Sequence, residues 1–356
     1  MLHQCCYCNL FAAARQLAYA RVMRTFFRQF GFSAILTVAS LLVAGLLYGL
    51  SGMLTTLVLI GIEVAFSFDN AIVNAKVLER LSRFWQQLFL TVGVVVAIIG
   101  MRLVFPILIV AVTAHLPSRE VIDQALHHPT LYAENLKLAH ASIAAFGGGF
   151  LLVLAAYFLF DDGREILWLR HLEGRLQRLG GAIWLAPLTA ALIVVVFSAF
   201  AHEPLSALQA GLIGVLSYTV IKLVIDLIGH SSGQDGTQVL RGSAALIAFL
   251  YLEVLDASFS FDGVLGAFAI TDKVVVIALG LGVGALWVRS LTVFMVRRKA
   301  LSEYRYLEHG AHYAILVLSL ALLTSLFWEV PDAITSIAGL GVIGASFFAS
   351  LEAKRR

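Results

Sequence analysis

Ten apolar runs, each about as long as a bilayer is thick, leave this chain few folds to choose from. They fall at roughly 30–50, 53–78, 87–113, 140–160, 182–200, 207–228, 243–270, 274–296, 311–328 and 333–351. A helix needs about 20 mostly apolar residues to span a bilayer. Backbone polar groups in lipid must be satisfied within the protein, and a helix does this within its own segment. The runs predict an all-α polytopic transmembrane bundle of about ten spans.

Composition agrees. Of the 356 residues, 60% are hydrophobic and 13% charged, where soluble domains are about half apolar and about a quarter charged. Mean hydropathy is +0.91, and no stretch is left for a sizeable soluble domain. Cys5, Cys6 and Cys8 are the only cysteines, so no disulfide or thiolate metal site is expected in the core. Residues 1–29 form a basic N-terminal segment without the small-residue cleavage site of a signal peptide. The expectation there is a misassigned start, with translation beginning at Met23; an interfacial helix or a cysteine-based metal sensor are the alternatives.

Lysine and arginine set the orientation. With the N-terminus in the cytoplasm, that side collects Arg15, Arg21, Arg24 and Arg28, Lys76, Arg80 and Arg83, Arg164 to Arg178, Arg241, Arg297 to Arg305, and Lys354 to Arg356. Only Arg119, Lys137 and Lys273 fall outside, and Arg102, Lys222 and Arg289 lie within spans. The bias supports ten spans with both termini cytoplasmic. The connection at 116–138 is the longest loop, with a short surface helix expected around Leu131–Leu138. Gly147, Gly148 and Gly149 form a packing notch in the fourth span.

The second run carries Glu63-Val-Ala-Phe-Ser-Phe-Asp69, followed by Asn70 and Asn74. The seventh repeats it as Asp256-Ala-Ser-Phe-Ser-Phe-Asp262, acid for acid and Phe-Ser-Phe-Asp letter for letter. Spans five apart run in opposite directions, so the repeat is inverted. The chain divides into a first transmembrane repeat over residues 30–200 and a second over 201–356. Inverted repeats build many secondary transporters, with the site near the midplane where the repeats meet. Arg102 and Arg289 each follow their motif by one span, and His140 and His312 each open the span after that.

Ionisable groups at membrane depth mark functional sites by default. On an unbroken helix, Glu63, Ser67, Asn70 and Asn74 share one stripe, and Glu253, Asp256 and Ser260 share another. Every one of these side chains offers oxygen, which suits hard cations such as magnesium, calcium or manganese rather than copper or zinc. A divalent cation held by carboxylates of both halves is the expectation. Asp69 and Asp262 fall about 120° off their stripes. Either the helix breaks near Ser67 or Ser260, freeing backbone carbonyls as ligands, or these aspartates pair with Arg102 and Arg289. Gly263 favours a break in the second copy. The arginines are expected as structural or gating counter-ions. Lys222 and Asp226 form an ordinary i, i+4 pair. Glu308, His309 and His312 are a weak candidate for a transition metal.

At Glu63-Val-Ala-Phe-Ser-Phe-Asp-Asn-Ala-Ile-Val-Asn-Ala75, Gly100-Met-Arg-Leu-Val-Phe-Pro106, Tyr251-Leu-Glu-Val-Leu-Asp-Ala-Ser-Phe-Ser-Phe-Asp-Gly263 and Glu303-Tyr-Arg-Tyr-Leu-Glu-His-Gly310, the chain resembles the TerC family of bacterial integral membrane proteins, within the LysE/TerC-like superfamily. It resembles more closely the branch catalogued as domain of unknown function 475. The resemblance implies an inverted-repeat metal transporter, similar to manganese exporters or to proteins tied to tellurium resistance. It also implies that Glu63, Asp69 and Asn70 bind the ion. Asp262-Gly263 departs from the family's Asp-Asn.

The expected function is export of a divalent cation, manganese first, through Glu63, Asp69, Asn70, Asp256 and Asp262. Asn74, Ser67, Glu253, Ser260, Arg102 and Arg289 would support them. No organic cofactor and no nucleic-acid partner is expected, and no phosphate-cradling loop points to ATP hydrolysis. The alternative is a membrane stress, tellurium-resistance or assembly factor that binds metal structurally and acts through protein partners or as a homo-oligomer. An intramembrane metalloenzyme ranks lowest, since no His-Glu-x-x-His pair or serine nucleophile motif occurs.

Overall fold

The computed structural model describes the backbone of residues 2–114, 116–180, 182–231, 239–271, 273–328 and 330–355. Within these, the side chains of residues 2–28, 101–103, 105, 109, 113, 225, 228–231, 257–262, 265, 269, 332 and 333 lie outside the description. The expectations for the three cysteines, Arg102, Ser260 and Asp262 therefore concern side chains outside the described set.

The chain is an all-α bundle. In order come α1 (Leu2–Phe66), α2 (Phe68–Glu79), α3 (Arg83–Val95), a π-helical segment (Val96–Val104), α4 (Phe105–Thr113), α5 (Ser118–His127), α6 (Pro129–Phe160) and α7 (Arg170–Leu179). Then follow α8 (Leu185–Ser198), α9 (Pro204–Ser231), α10 (Gly242–Ile270), α11 (Val274–Arg298), α12 (Ala300–Glu303), α13 (Leu307–Thr324) and α14 (Asp332–Arg355). Among the described residues, seven helical stretches are long and apolar enough to cross a membrane, the first being Gln29–Phe66. That stretch holds the first expected segment and the start of the second, which continues into α2, and α8 and α10 supply two more, so each apolar run is helical. Leu46, Leu138, Leu188 and Phe348 are largely exposed, as side chains facing lipid are.

The first stretch folds back at Gly49, whose φ of 69° favours a residue without Cβ. Before the turn, Ser33 meets Ser290 (2.9 Å) and the Trp287 indole donates to Thr37 (2.9 Å). After it, Leu59 packs on Gly280 and Glu63 on Gly284. The first arm therefore runs antiparallel to α11 and the second parallel to it. A side chain at Gly284 would collide with the Glu63 stem, so the glycine is what lets the motif helix lie against α11.

Pro106, near the start of α4, has no N–H to give the preceding turn. The π-helical register just before it accommodates that loss in a chain that stays helical from Arg83 to Thr113. The glycine notch is present: Gly148 faces Leu323 of α13, and Gly149 faces the Gly211 backbone of α9. The 116–138 connection differs from expectation. Its surface helix is α5, while Leu131–Leu138 belongs to α6, which begins at Pro129 because proline fits a first helical turn. His140 accordingly sits well inside α6 rather than opening it.

Basic residues gather at one end. There Lys76 pairs with Glu308 (2.8 Å), Lys354 with Glu303 (2.9 Å), Arg164 with Glu173 (3.5 Å), and Arg297 donates to Gln29 (3.0 Å). The Gly49 turn lies at the other end, where Lys273 sits 4.8 Å from the centre of the Tyr48 ring.

Candidate functional site

Glu63 lies three residues before the end of α1, and Asp69 lies in the first turn of α2. Between them the helix breaks at Ser67. The backbone resumes with Ser67 N–H donating to Glu63 C=O (3.0 Å) and Ala71 N–H to Ser67 C=O (3.1 Å). The Asn70 amide, which would serve Phe66, instead donates to the Asp69 carboxylate (2.8 Å). A short acidic side chain competing with the backbone for an amide is a common cause of such a break. The second copy differs: α10 runs unbroken from Gly242 to Ile270. The expectation of a break favoured by Gly263 is not met there.

Gly263 is where the Glu63 carboxylate rests; a Cβ added there would stand 3.1 Å from Glu63 Oε2. Conversely, Asn70 Nδ2 donates to Asp256 Oδ1 (2.8 Å). In the repeat, Asp256 corresponds to Glu63 and Gly263 to Asn70. So the leading acid of each copy touches the residue after the closing aspartate of the other. Such exchanged contacts are the signature of a two-fold relation. They require the two motif helices to cross antiparallel, as an inverted repeat demands.

Glu63, Asn70, Asn74, Glu253 and Asp256 are all buried. Ser67 donates to Glu63 Oε1 (3.1 Å), holding the acid in the crossing. The amide oxygens of Asn70 and Asn74, one turn apart on α2, accept no hydrogen bond. Buried acceptors without donors are uncommon in native structures, and a cation is one way to satisfy them.

Arg289, from α11, reaches the second copy. Its guanidinium makes a two-pronged contact with Glu253 (3.0 and 2.9 Å), a third bond to Asp256 Oδ2 (2.7 Å) and a fourth to the Phe89 carbonyl (3.1 Å). It also lies 4.3 Å from the Phe89 ring centre. Gly93 of α3 leaves room for this pair, since any side chain there would overlap Arg289 and Glu253. The counter-ion role expected of Arg289 is met, but its described partners are Glu253 and Asp256.

Asp69 faces away from this crossing. It lines a cavity of about 30 Å³ between α2, α13 and α14, together with Ala65, Phe66, Thr335 and Ser336. Among the described residues, no lysine or arginine pairs with it. Thr335 and Ser336 were invisible to the motif analysis because two hydroxyls at a helix start carry no pattern of their own. Phe89 and Gly93 were missed for a similar reason, their part being played by a backbone carbonyl and an absent side chain.

The weaker candidates resolve into structural contacts. Lys222 pairs with Asp226 (3.1 Å), as expected. Glu308 binds Lys76, His309 Nε2 bonds the Ile166 carbonyl (2.9 Å), and His312 stacks on Phe158 (3.8 Å). Among the described residues, no three Asp, Glu, His or Cys side chains converge as a ready-made metal site. Glu173 is fully buried on α7 and accepts the Leu169 amide (3.0 Å) and the Tyr313 hydroxyl (3.1 Å). Burial pushes this carboxyl up, but hydrogen bonds from His309, the Leu169 amide and Tyr313 outweigh it and hold the pKa at about 2.

An all-α membrane bundle in which two antiparallel copies of one acidic motif meet, with an arginine clamping one copy, defines the class of protein. Residues 68–356 match the family described as Protein of unknown function (DUF475), and the chain belongs to that family. The match takes in Asp69, Asn70 and the whole second motif, and begins just after Glu63. No curated protein and no solved structure matches the chain.

Proposed function

We propose that this protein is a secondary transporter of TerC type, exporting a divalent cation, manganese first, from the bacterial cytoplasm. The observation that carries this is the exchanged crossing: Glu63 against Gly263 and Asn70 against Asp256, buried within a bundle whose outer face is apolar. Glu63, Asn70 and Asp256 would hold the ion, with Asn74 contributing oxygen from α2. Carboxylates and amide oxygens are ligands a hard cation prefers. A crossing on a two-fold axis is also where rocking one repeat against the other exposes a site to each side in turn. The basic end of the bundle would face the cytoplasm.

One observation favours a second reading. Arg289 already neutralises part of the acid in the second copy, as it would in a protein that uses its buried charges only to lock helices. Such a protein would serve as an assembly or tellurium-resistance factor.

Cellular manganese, zinc and magnesium in cells expressing the chain or Glu63→Gln under manganese load separate the two. Transport predicts that wild type lowers manganese severalfold and that an equally abundant Glu63→Gln protein does not. No change in any of the three metals on wild-type expression favours the assembly reading.

A further inference from the structure

The break at Ser67 has two sides. One serves the crossing; the other opens onto the cavity between α2, α13 and α14 that Asp69 lines. Asp69 is 8% exposed, and its Oδ1 accepts the Asn70 amide. Ala65 and Phe66 line the same cavity, and the amide that would serve the Phe66 carbonyl, that of Asn70, goes to Asp69 instead. Thr335 and Ser336 line it too. Hydroxyls elsewhere in these helices turn back to a carbonyl one turn earlier, as those of Thr37, Thr56, Thr189, Thr219 and Thr324 do. Thr335 and Ser336 make no such bond among the described residues. Among the described residues, the cavity's polar equipment is thus all oxygen: one carboxylate, two hydroxyls and the Phe66 carbonyl at the break.

Charge and size narrow the ligand. Among the described residues lining the cavity, Asp69 alone is ionisable, so a single positive charge neutralises it and a divalent ion would leave an excess charge in a low-dielectric interior. The volume of about 30 Å³ is about that of one water molecule. Unwound carbonyls at a helix break are a known means of holding sodium at membrane depth.

We propose that Asp69, Thr335 and Ser336, with the Phe66 carbonyl at the break, form a sodium site separate from the crossing. Sodium in this cavity ties α14 to the hinge between α1 and α2. Under the transport reading, on which only this last step rests, sodium is the coupling ion: its binding sets the geometry of the break and so the position of Glu63 and Asn70 on the other side.

The test uses the full-length protein in detergent, without manganese. The unfolding midpoint is followed against sodium chloride, with choline chloride holding ionic strength constant and potassium chloride in parallel. Wild type should show a saturable rise with sodium. Ser336→Ala and Thr335→Val should each shift the half-saturating sodium concentration upward about tenfold, and Asp69→Asn should abolish the response. If Asp69→Asn does not fold, the two hydroxyl variants still decide. A wild type indifferent to sodium, an equal response to potassium, or hydroxyl variants identical to wild type would overturn the site. So would stabilisation that follows pH and not sodium, which assigns the cavity to a proton. A manganese titration of the same samples reports on the crossing. Saturable sodium binding in a protein that moves no manganese leaves this site standing and removes the transport reading; intact export with no sodium response does the reverse.

Discussion

Arg289 shows what one residue decides in a low-dielectric interior. It is 1% exposed and its two terminal nitrogens donate to Glu253, Asp256 and the Phe89 carbonyl, while its buried Nε has no partner among the described residues. Removing one partner of a buried pair leaves charge without compensation and costs about 3–5 kcal/mol. Arg289→Met should therefore lower the unfolding midpoint sharply. Arg289→Lys should recover little, because an ammonium cannot reproduce the planar fork. Arg289→Met combined with Glu253→Gln and Asp256→Asn should recover more, and a melt of all three proteins in one detergent checks this. A triple variant no more stable than Arg289→Met would mean the arginine acts through packing alone. The sequence shows the charges and even their surplus. It cannot show which carboxylate the guanidinium reaches, because that depends on how α10 is rotated against α11 and on the space Gly93 leaves.

At the scale of elements, apolar runs, the turn at Gly49 and the glycine notch of α6 are legible because each rests on residue type and spacing alone. The break at Ser67 and its absence at Ser260 are not. Both copies read Phe-Ser-Phe-Asp; in the first, Asp69 captures the Asn70 amide at the break, and in the second, Gly263 lies under the Glu63 carboxylate on a continuous helix. The amphipathic α7 is a second case, polar enough in sequence to look like a loose connection. Glu173 docks it onto α13 through Tyr313 and His309, with Arg164 nearby. Its folded pKa of about 2 lies below the ordinary 4.5. The charged form is thus favoured by folding, and its contribution is complete above about pH 4.5 and fades as pH falls toward 2. Amide exchange in α7 should accelerate across that window while α6 stays protected. Glu173→Gln should show fast α7 exchange already at neutral pH and no acid step. An unchanged α7 in that variant would mean its apolar contacts suffice.

For the whole molecule, the two ends of the bundle carry the argument about sidedness. The pairs Lys76–Glu308, Lys354–Glu303 and Arg164–Glu173 lie with the basic loops at one end, and Tyr48 with Lys273 marks the other. This partition was not imposed by the lysine and arginine count; it emerges from how α1, α11, α13 and α14 pack. Positively charged ends stay in the cytoplasm, so the Gly49 turn and the α10–α11 turn should face outward. A variant lacking Cys5, Cys6 and Cys8 makes this measurable with a membrane-impermeant thiol reagent. Lys273→Cys and Arg119→Cys should label in intact cells, while Arg175→Cys and Arg298→Cys should label only after the membrane is opened. If position 119 labels from the inside while 273 labels from the outside, the number of crossings between them is odd rather than even. The two motif helices would then lose the antiparallel relation to the membrane that alternating access through their crossing needs, whatever ion they bind.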